Sequence, residues 1–264
     1  MNKKLQFFKA QATGNDFIII DAFNEPISLN SKQIQLLCDR HFGIGADGIL
    51  FIHKDEKYDF RMRFFNPDGT KAKFCGNGGR AIVKVAHFLG YIKEKTTFIA
   101  DDGVHSAYIN DIITLQMTDV NNFFYWEPEK AFFLDTGTSH IVKFTKNLKE
   151  IDILPQARKI RYHKDFQPEG TNVNFVEIQK EQIFVRTYEK GVEKETLSCG
   201  TGVVASALAY YLQTNRKPPI KILTKGGQLQ VSFVYNPSKK IFTNVLLKGE
   251  AKILFKGLWY ENIT

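Results

Sequence analysis

The chain is predicted to fold as an α+β protein built from two copies of one unit, each a mixed or antiparallel sheet wrapped about a single apolar helix. Three observations carry this. A Cys-Gly-x-Gly segment occurs twice, and each time it runs into an apolar stretch of helix length. Short β-branched or aromatic runs bounded by turn residues outnumber the helical stretches. Strand and helix signals do not alternate regularly, as a Rossmann-type parallel sheet would require.

In order along the chain, Thr13-Gly14 is a turn ahead of the strand run FIIID. The segment SKQIQLLCDR carries a helical stripe of Ile34, Leu37 and Cys38, which makes Cys38 a core residue. ILFIH and YDFRMRFF read as strands, and Asn66-Pro67-Asp68-Gly69 as a turn. After Cys75, residues Ile82, Val85, Ala86 and Leu89 fall at helical spacing. TFIA and ITLQM are strands on either side of the polar turn DDGVHS. In the second half NFVEI, IFVRTY and TNVLLKG are strands. Val203 through Leu212 carries no charge, which predicts a helix buried on every side.

The two halves match at fixed offsets. Nine residues before the cysteines stand Asn66 and Lys190, eleven before stand Phe64 and Tyr188, and twenty-eight after stand Gly103 and Gly227. Thr13-Gly14-Asn15 precedes FIII much as Thr136-Gly137-Thr138 precedes His140 and Ile141-Val142. So many matches at one register point to a duplicated unit with a boundary near residue 119.

Composition narrows the function classes. Hydrophobic residues are 43% and charged residues 24%, values for a globular protein without a membrane span. No apolar run reaches the ~18–20 residues that a spanning helix needs. The opening MNKKLQFFKAQATGND is too short in apolar residues for a signal peptide, so a cytoplasmic location is expected. The net charge is +8, but the lysines are scattered rather than blocked, so no nucleic-acid partner is expected. The three cysteines are widely spaced with no CxxC pair, so neither a zinc site nor a disulfide framework is indicated. No cofactor motif is visible, and GxGxxG is absent from the right place.

The chemistry is expected at Cys75 and Cys199. A cysteine where a loop enters a helix feels the positive end of the helix dipole, which favours the thiolate. The glycines that follow let a carboxylate approach the amides of the first turn. One such site in each half implies a cleft with a thiol on each wall. That arrangement suits removal of an α-hydrogen from one face of an amino acid and delivery of a proton to the other.

The segments ATGNDFIIID, CDRHFGIGADGIL, FNPDGTKAKFCGNGGR, GTSHIV, GTNVNFVE and TYEKGVEKETLSCGTG stand in the order and spacing of the diaminopimelate epimerase family, which the chain resembles over almost its whole length. The resemblance implies two pseudo-symmetric domains, each a barrel-like sheet about a central helix. They would span 1–118 with a returning strand at 251–264, and 119–250. It implies interconversion of LL- and meso-diaminopimelate without pyridoxal phosphate or metal, in a homodimer. By motif, Cys75 and Cys199 would carry the protons. Gly76, Asn77, Gly200 and Thr201 would offer backbone amides to the carboxylate. Asn15, Asn66 and Asn172 would bind the substrate's polar groups, Glu189 an amino group, and His140 would support catalysis.

Three positions depart from the family's commonest pattern. Lys190 stands where an arginine usually grips the distal carboxylate, keeping the charge but not the planar fork. Thr138-Ser139 replaces an Asn-Pro before the histidine, and Gly48 stands where some members have a substrate-binding glutamine. Two other readings use the same residues: a racemase of this fold acting on another amino acid, and a thiol-based sensor or binding module. The sensor reading requires a disulfide that switches function.

Overall fold

The computed structural model describes residues 3–72 and 74–261. The elements run β1 (Lys3–Ala12), β2 (Asn15–Ala22), α1 (Ser31–Cys38), β3 (Ile49–His53), β4 (Arg61–Phe65), β5 (Lys71–Ala72), α2 (Gly76–Phe88), β6 (Lys95–Ala100), β7 (Gly103–Ile109) and β8 (Ile113–Gln116). They continue with β9 (Phe123–Trp126), β10 (Ala131–Asp135), β11 (Ser139–Phe144), α3 (Leu154–Arg161), β12 (Asn172–Ile178), β13 (Ile183–Glu189) and β14 (Lys194–Thr196). The chain then forms α4 (Gly200–Thr214), β15 (Ile220–Thr224), β16 (Gly227–Asn236), β17 (Ile241–Gly249) and β18 (Lys252–Glu261). Two compact units result: the chain up to Leu115 with the segment from Glu250, and Gln116–Gly249. The fold is a sheet-dominated α+β arrangement.

The strand pairing of the first unit is repeated in the second, step for step. In the first, β1 and β2 form a hairpin, β2 lies parallel to β3, and β3 antiparallel to β4. β4 then holds the short β5 and, in parallel, β6, before β6, β7 and β8 meander. In the second, β10 and β11 form the hairpin, β11 lies parallel to β12, and β12 antiparallel to β13. β13 holds β14 and, in parallel, β15, before β15, β16 and β17 meander. The outer side of each hairpin is covered by a further antiparallel strand, β18 on β1 and β9 on β10.

The duplication extends to backbone angles. Gly103 and Gly227 open β7 and β16 at φ 138° and 143°, and Gly14 and Gly137 turn the two hairpins at φ 84° and 97°. These are left-handed or mirror-β positions that glycine occupies without a Cβ clash.

Each unit wraps its longest helix. α4 touches β10, β11, β12, β13, β15, β16 and β17, and Val203 through Tyr210 are all buried. The uncharged run therefore reflects a helix enclosed by its sheet. α2 packs on β1, β2, β3 and β18 and buries Ile82, Val85 and Ala86. It ends in a Schellman motif, with Gly90 at φ 79°, Tyr91 N–H donating to Ala86 O and Gly90 N–H to His87 O. Cys38 ends α1 within a core of Ile18, Ile20, Ile34, Leu37 and Ile49.

Each unit also has a second, short helix at an equivalent place in the order: α1, on the stripe of Ile34, Leu37 and Cys38 expected to be helical, and α3, which the sequence reading did not mark. α1 is closed by an Asn30–Gln33 capping box. α3 has a largely polar sequence, LPQARKIR, and buries only Ala157 and Ile160. With the N-cap Ile153 and the partly buried Leu154, they form a short stripe at helical spacing on the core of the second unit. Among the described residues no helix is long and apolar enough to cross a membrane.

Candidate active site

Cys75 is the N-cap residue of α2, in extended conformation at φ −136°, and its side chain makes no capping hydrogen bond. The β1–β2 turn brings Asn15 to it. That turn places Thr13 at φ 48° and Gly14 at φ 84°, as a two-residue hairpin of right-handed twist requires. A β-branched residue there stores strain of ~1–3 kcal/mol. The Asn15 amide is oriented from its far end: Nδ2 donates to Asp47 Oδ2 at 2.7 Å. Its Oδ1 then accepts from Asn77 Nδ2 at 3.2 Å and from the Cys75 thiol at 3.7 Å. Asn77 is oriented in turn by Arg80, whose Nη2 donates to Asn77 Oδ1 at 2.8 Å.

Asp47 belongs to a charged cluster beneath the turn. Arg40 bridges Asp16 and Asp47 at 2.7 and 2.8 Å, and buried Lys9 pairs with Asp16 at 2.6 Å and donates to Gly45 O. Burial raises the Asp16 pKa and the Arg40 and Lys9 contacts lower it, with a net shift downward.

Cys199 is the N-cap residue of α4, extended at φ −118° and buried. Its Sγ lies 3.4 Å from Thr201 Oγ1, and His140 Nε2 lies 2.9 Å from the same hydroxyl. The His140 tautomer follows from its other neighbour. Asn174 Nδ2 reaches His140 Nδ1 at 2.9 Å and Ile141 O at 3.2 Å, while Thr187 Oγ1 donates to Asn174 Oδ1. Nδ1 is thus an acceptor and Nε2 carries the hydrogen. His140 is fully buried; burial first, and the Lys190 charge second, push its pKa down to about 3. A neutral ring therefore donates to Thr201, leaving the Thr201 hydroxyl hydrogen to point at Cys199.

The β10–β11 turn adds Thr136, whose hydroxyl donates to Thr201 O at 3.1 Å. Asn172, 3% exposed, donates to Ser139 O at 3.0 Å and accepts from Lys190 N at 2.8 Å. It ties the start of β11 to the residue after β13. Each unit thus has one helix-entry cysteine with oriented amides and a hairpin turn beside it.

A family model described as diaminopimelate epimerase matches residues 7–117 and 132–254. A diaminopimelate epimerase from Flavobacterium psychrophilum is 46% identical over 258 residues, covering 96% of this chain and 99% of that one. The chain belongs to the diaminopimelate epimerase family. Among solved structures, a PhzF-family phenazine biosynthesis protein of Bacillus anthracis is similar at TM-score 0.76 and 16% identity, over 98% of this chain and 100% of that one. A hydroxyproline epimerase from Agrobacterium vitis, with trans-4-hydroxy-L-proline bound, is similar at TM-score 0.67 and 13% identity, over 98% and 94%. Both share the fold.

Of the residues singled out from the family motifs, Asn15, Cys75, Gly76 and Asn77 stand together in the first unit. His140, Asn172, Lys190, Cys199, Gly200 and Thr201 do so in the second, with Glu189 ending β13. Asn66 lies in the turn that closes β4 onto β5, its Nδ2 on Thr70 Oγ1 and its backbone paired with Thr70. Gly48 has no room for a side chain: a Cβ would lie 2.6 Å from the Phe64 ring and 2.8 Å from Phe65 O. The glutamine that the resemblance sets here would need both the Phe64 ring and the Phe65 backbone to shift. Among the described residues no group of His, Cys, Asp or Glu is arranged to hold a metal ion.

The residues that orient these groups, Asp47, Arg80, Asn174 and Thr187, stand inside the family segments but received no role from the sequence. Asn174 carried a usable signal. In GTNVNFVE the period of a strand puts Asn172 and Asn174 on one face, and two amides on a buried face call for partners.

Proposed function

We propose that the protein is a cofactor-independent epimerase interconverting LL- and meso-diaminopimelate, with the Cys75 and Cys199 thiols as its acid and base. The observation that carries the reading is that both cysteines are N-cap residues of the most buried helices, in a chain of this family. At those positions the helix dipole favours the thiolate. The reading asks both sulfurs to serve one α-carbon from opposite faces. One thiolate takes the α-hydrogen, and the electron pair of the broken C–H bond remains as an enolate-like carbanion. The other thiol delivers its proton to that carbon, so one proton leaves, one arrives, and the sulfurs exchange roles.

The amides of Gly76, Asn77, Gly200 and Thr201 would hold the reacting carboxylate, where each donor is worth ~3–4 kcal/mol in comparable sites. Neutral His140 would favour a Cys199 thiolate through the Thr201 hydroxyl. Asn15, Asn66 and Asn172 would bind the substrate's polar groups, Glu189 an amino group and Lys190 the distal carboxylate. The same reading takes the enzyme to be a cytoplasmic homodimer. A racemase acting on another amino acid is the second reading, favoured by Lys190 and by the closed seat of Gly48.

The test is exchange of the α-hydrogen of LL-diaminopimelate in deuterated water, followed by NMR on reduced protein. Exchange with conversion to the meso form, lost to epimerisation in Cys75→Ala and in Cys199→Ala, is the expected result. Absence of exchange sinks the diaminopimelate assignment, and other amino acids then become the substrates to try.

A further inference from the structure

Superimposing the order of the two units aligns their supporting residues, and the polar ones do not coincide. Phe17 corresponds to His140, because Gly14 corresponds to Gly137 in the matching hairpins. Leu50 corresponds to Asn174 through the parallel pairs Ile18↔Ile49 and Ile141↔Val173. The packing repeats this: a Cβ on Gly78 would meet Leu50 and Phe17 at 3.5 Å, and one on Gly202 would meet Asn174 and His140. The second unit thus supports its cysteine with an imidazole and an amide where the first has two apolar side chains. Five residues after the cysteines the exchange runs the other way, with Arg80 in the first unit and Val204 in the second.

Arg80 is a costly residue to place there. It is fully buried, and among the described residues no carboxylate pairs with it. Its Nη1 donates to Gly76 O at 3.2 Å, and its Nη2 to Asn77 Oδ1 at 2.8 Å and Thr13 Oγ1 at 3.2 Å. Its Nε finds no partner among the described residues. A buried guanidinium on neutral acceptors awaits an anion.

We propose that Arg80 is a positioning residue of the Cys75 site: it is the built-in countercharge of the Cys75 thiolate and, through Asn77, the device that orients Asn15. This rests on the two-thiol reading above, in which each sulfur must become a thiolate once in every cycle. The His140–Thr201 pair meets that need at Cys199, and Arg80 meets it at Cys75. Burial draws the Arg80 pKa down to about 10, still charged at neutral pH, and a charge on Cys75 acts to raise it. Coupling between two sites is reciprocal. The other charges at this end of the unit are already matched. Lys9 of β1, Asp16 of β2, Arg40, and Asp47 ahead of β3 pair among themselves, and Asp47 reaches the site only through Asn15. Asp21 of β2 holds the Tyr91 hydroxyl, Lys252 of β18 pairs with Glu250, and Lys84 and His87 lie on later turns of α2.

The experiment titrates the Cys75 thiol by thiolate absorbance in a Cys199→Ser chain. Cys38 stays silent because burial pushes its pKa to about 12. Arg80→Gln is expected to raise the Cys75 midpoint by about one pH unit or more, a roughly ten-fold smaller thiolate fraction at a given pH. Arg80→Lys is expected to restore most of it. A second measurement leaves Arg80 in place: its Nε–H NMR signal should move as Cys75 titrates and stay still in a Cys75→Ser, Cys199→Ser chain. An unchanged midpoint in Arg80→Gln, or a signal that ignores Cys75, overturns the proposal. Neither readout needs substrate, so a failed diaminopimelate assay leaves this test standing.

Discussion

Thr201 receives the His140 ring hydrogen on its hydroxyl and the Thr136 hydroxyl hydrogen on its carbonyl. The price of this arrangement is an imidazole locked in its neutral form. In the unfolded chain His140 titrates near its usual 6.5, and in the fold near 3. Between those values the unfolded state binds the extra proton, so the contribution of the neutral ring is complete above about pH 6.5 and is lost as pH falls toward 3. Denaturant unfolding from pH 7 to 4 should show this as a difference between parent and His140→Gln, with a slope of up to ~1.4 kcal/mol per pH unit. Parallel stability curves for the two proteins would refute the buried-neutral assignment. Little of this was legible beforehand. The histidine was marked by its motif, but its protonation depends on burial and on the Lys190 charge, and its tautomer on Asn174, which come from strands distant in sequence.

At the scale of elements, the second glycine of each Cys-Gly-x-Gly segment has a different job. A Cβ on Gly202 would come within 2.3 Å of Asn174 Oδ1 and 3.2 Å of His140, whereas on Gly78 it would meet only ordinary contacts at 3.5 Å or more. Gly202→Ala should therefore destabilise by ~1–3 kcal/mol through forced repacking. Gly78→Ala should be neutral or gain up to ~1 kcal/mol of helix propensity. Thermal or urea unfolding of both variants decides it, and equal effects would mean that the amide–imidazole pair yields easily. The strands were legible because ILFIH, NFVEI and IFVRTY alternate or concentrate β-branched and aromatic side chains, and they form β3, β12 and β13. α3 went unmarked although Ile153, Ala157 and Ile160 stand at helical spacing, because polar residues dominate so short a segment. The exchange of polar support between Arg80 and the His140–Asn174 pair was equally hidden. Matching motifs reveal what two halves share, and these residues are where they differ.

Across the whole molecule, the first unit is made of two separated stretches of chain, with Gln116–Gly249 between them. β18 runs antiparallel to β1 from Lys3↔Glu261 to Gln11↔Lys252, and Gly257 lies so close over Phe7 that a Cβ would fall 2.5 Å from its ring. A chain cut after Glu250 leaves β1 with an open edge. Amide hydrogen exchange should then show protection lost in β1, β2 and α2 while α4 keeps its own. Undiminished protection of β1 would contradict the role given to β18. The interrupted layout also sets a timetable for synthesis. A ribosome adds ~5–20 residues per second, and the first strand it releases must wait for the last before its sheet is complete. The inserted unit, contiguous in sequence, can mature during that wait. The unit translated second thus needs no later strand, and a chain released before β18 holds a complete Cys199 site and an incomplete Cys75 site.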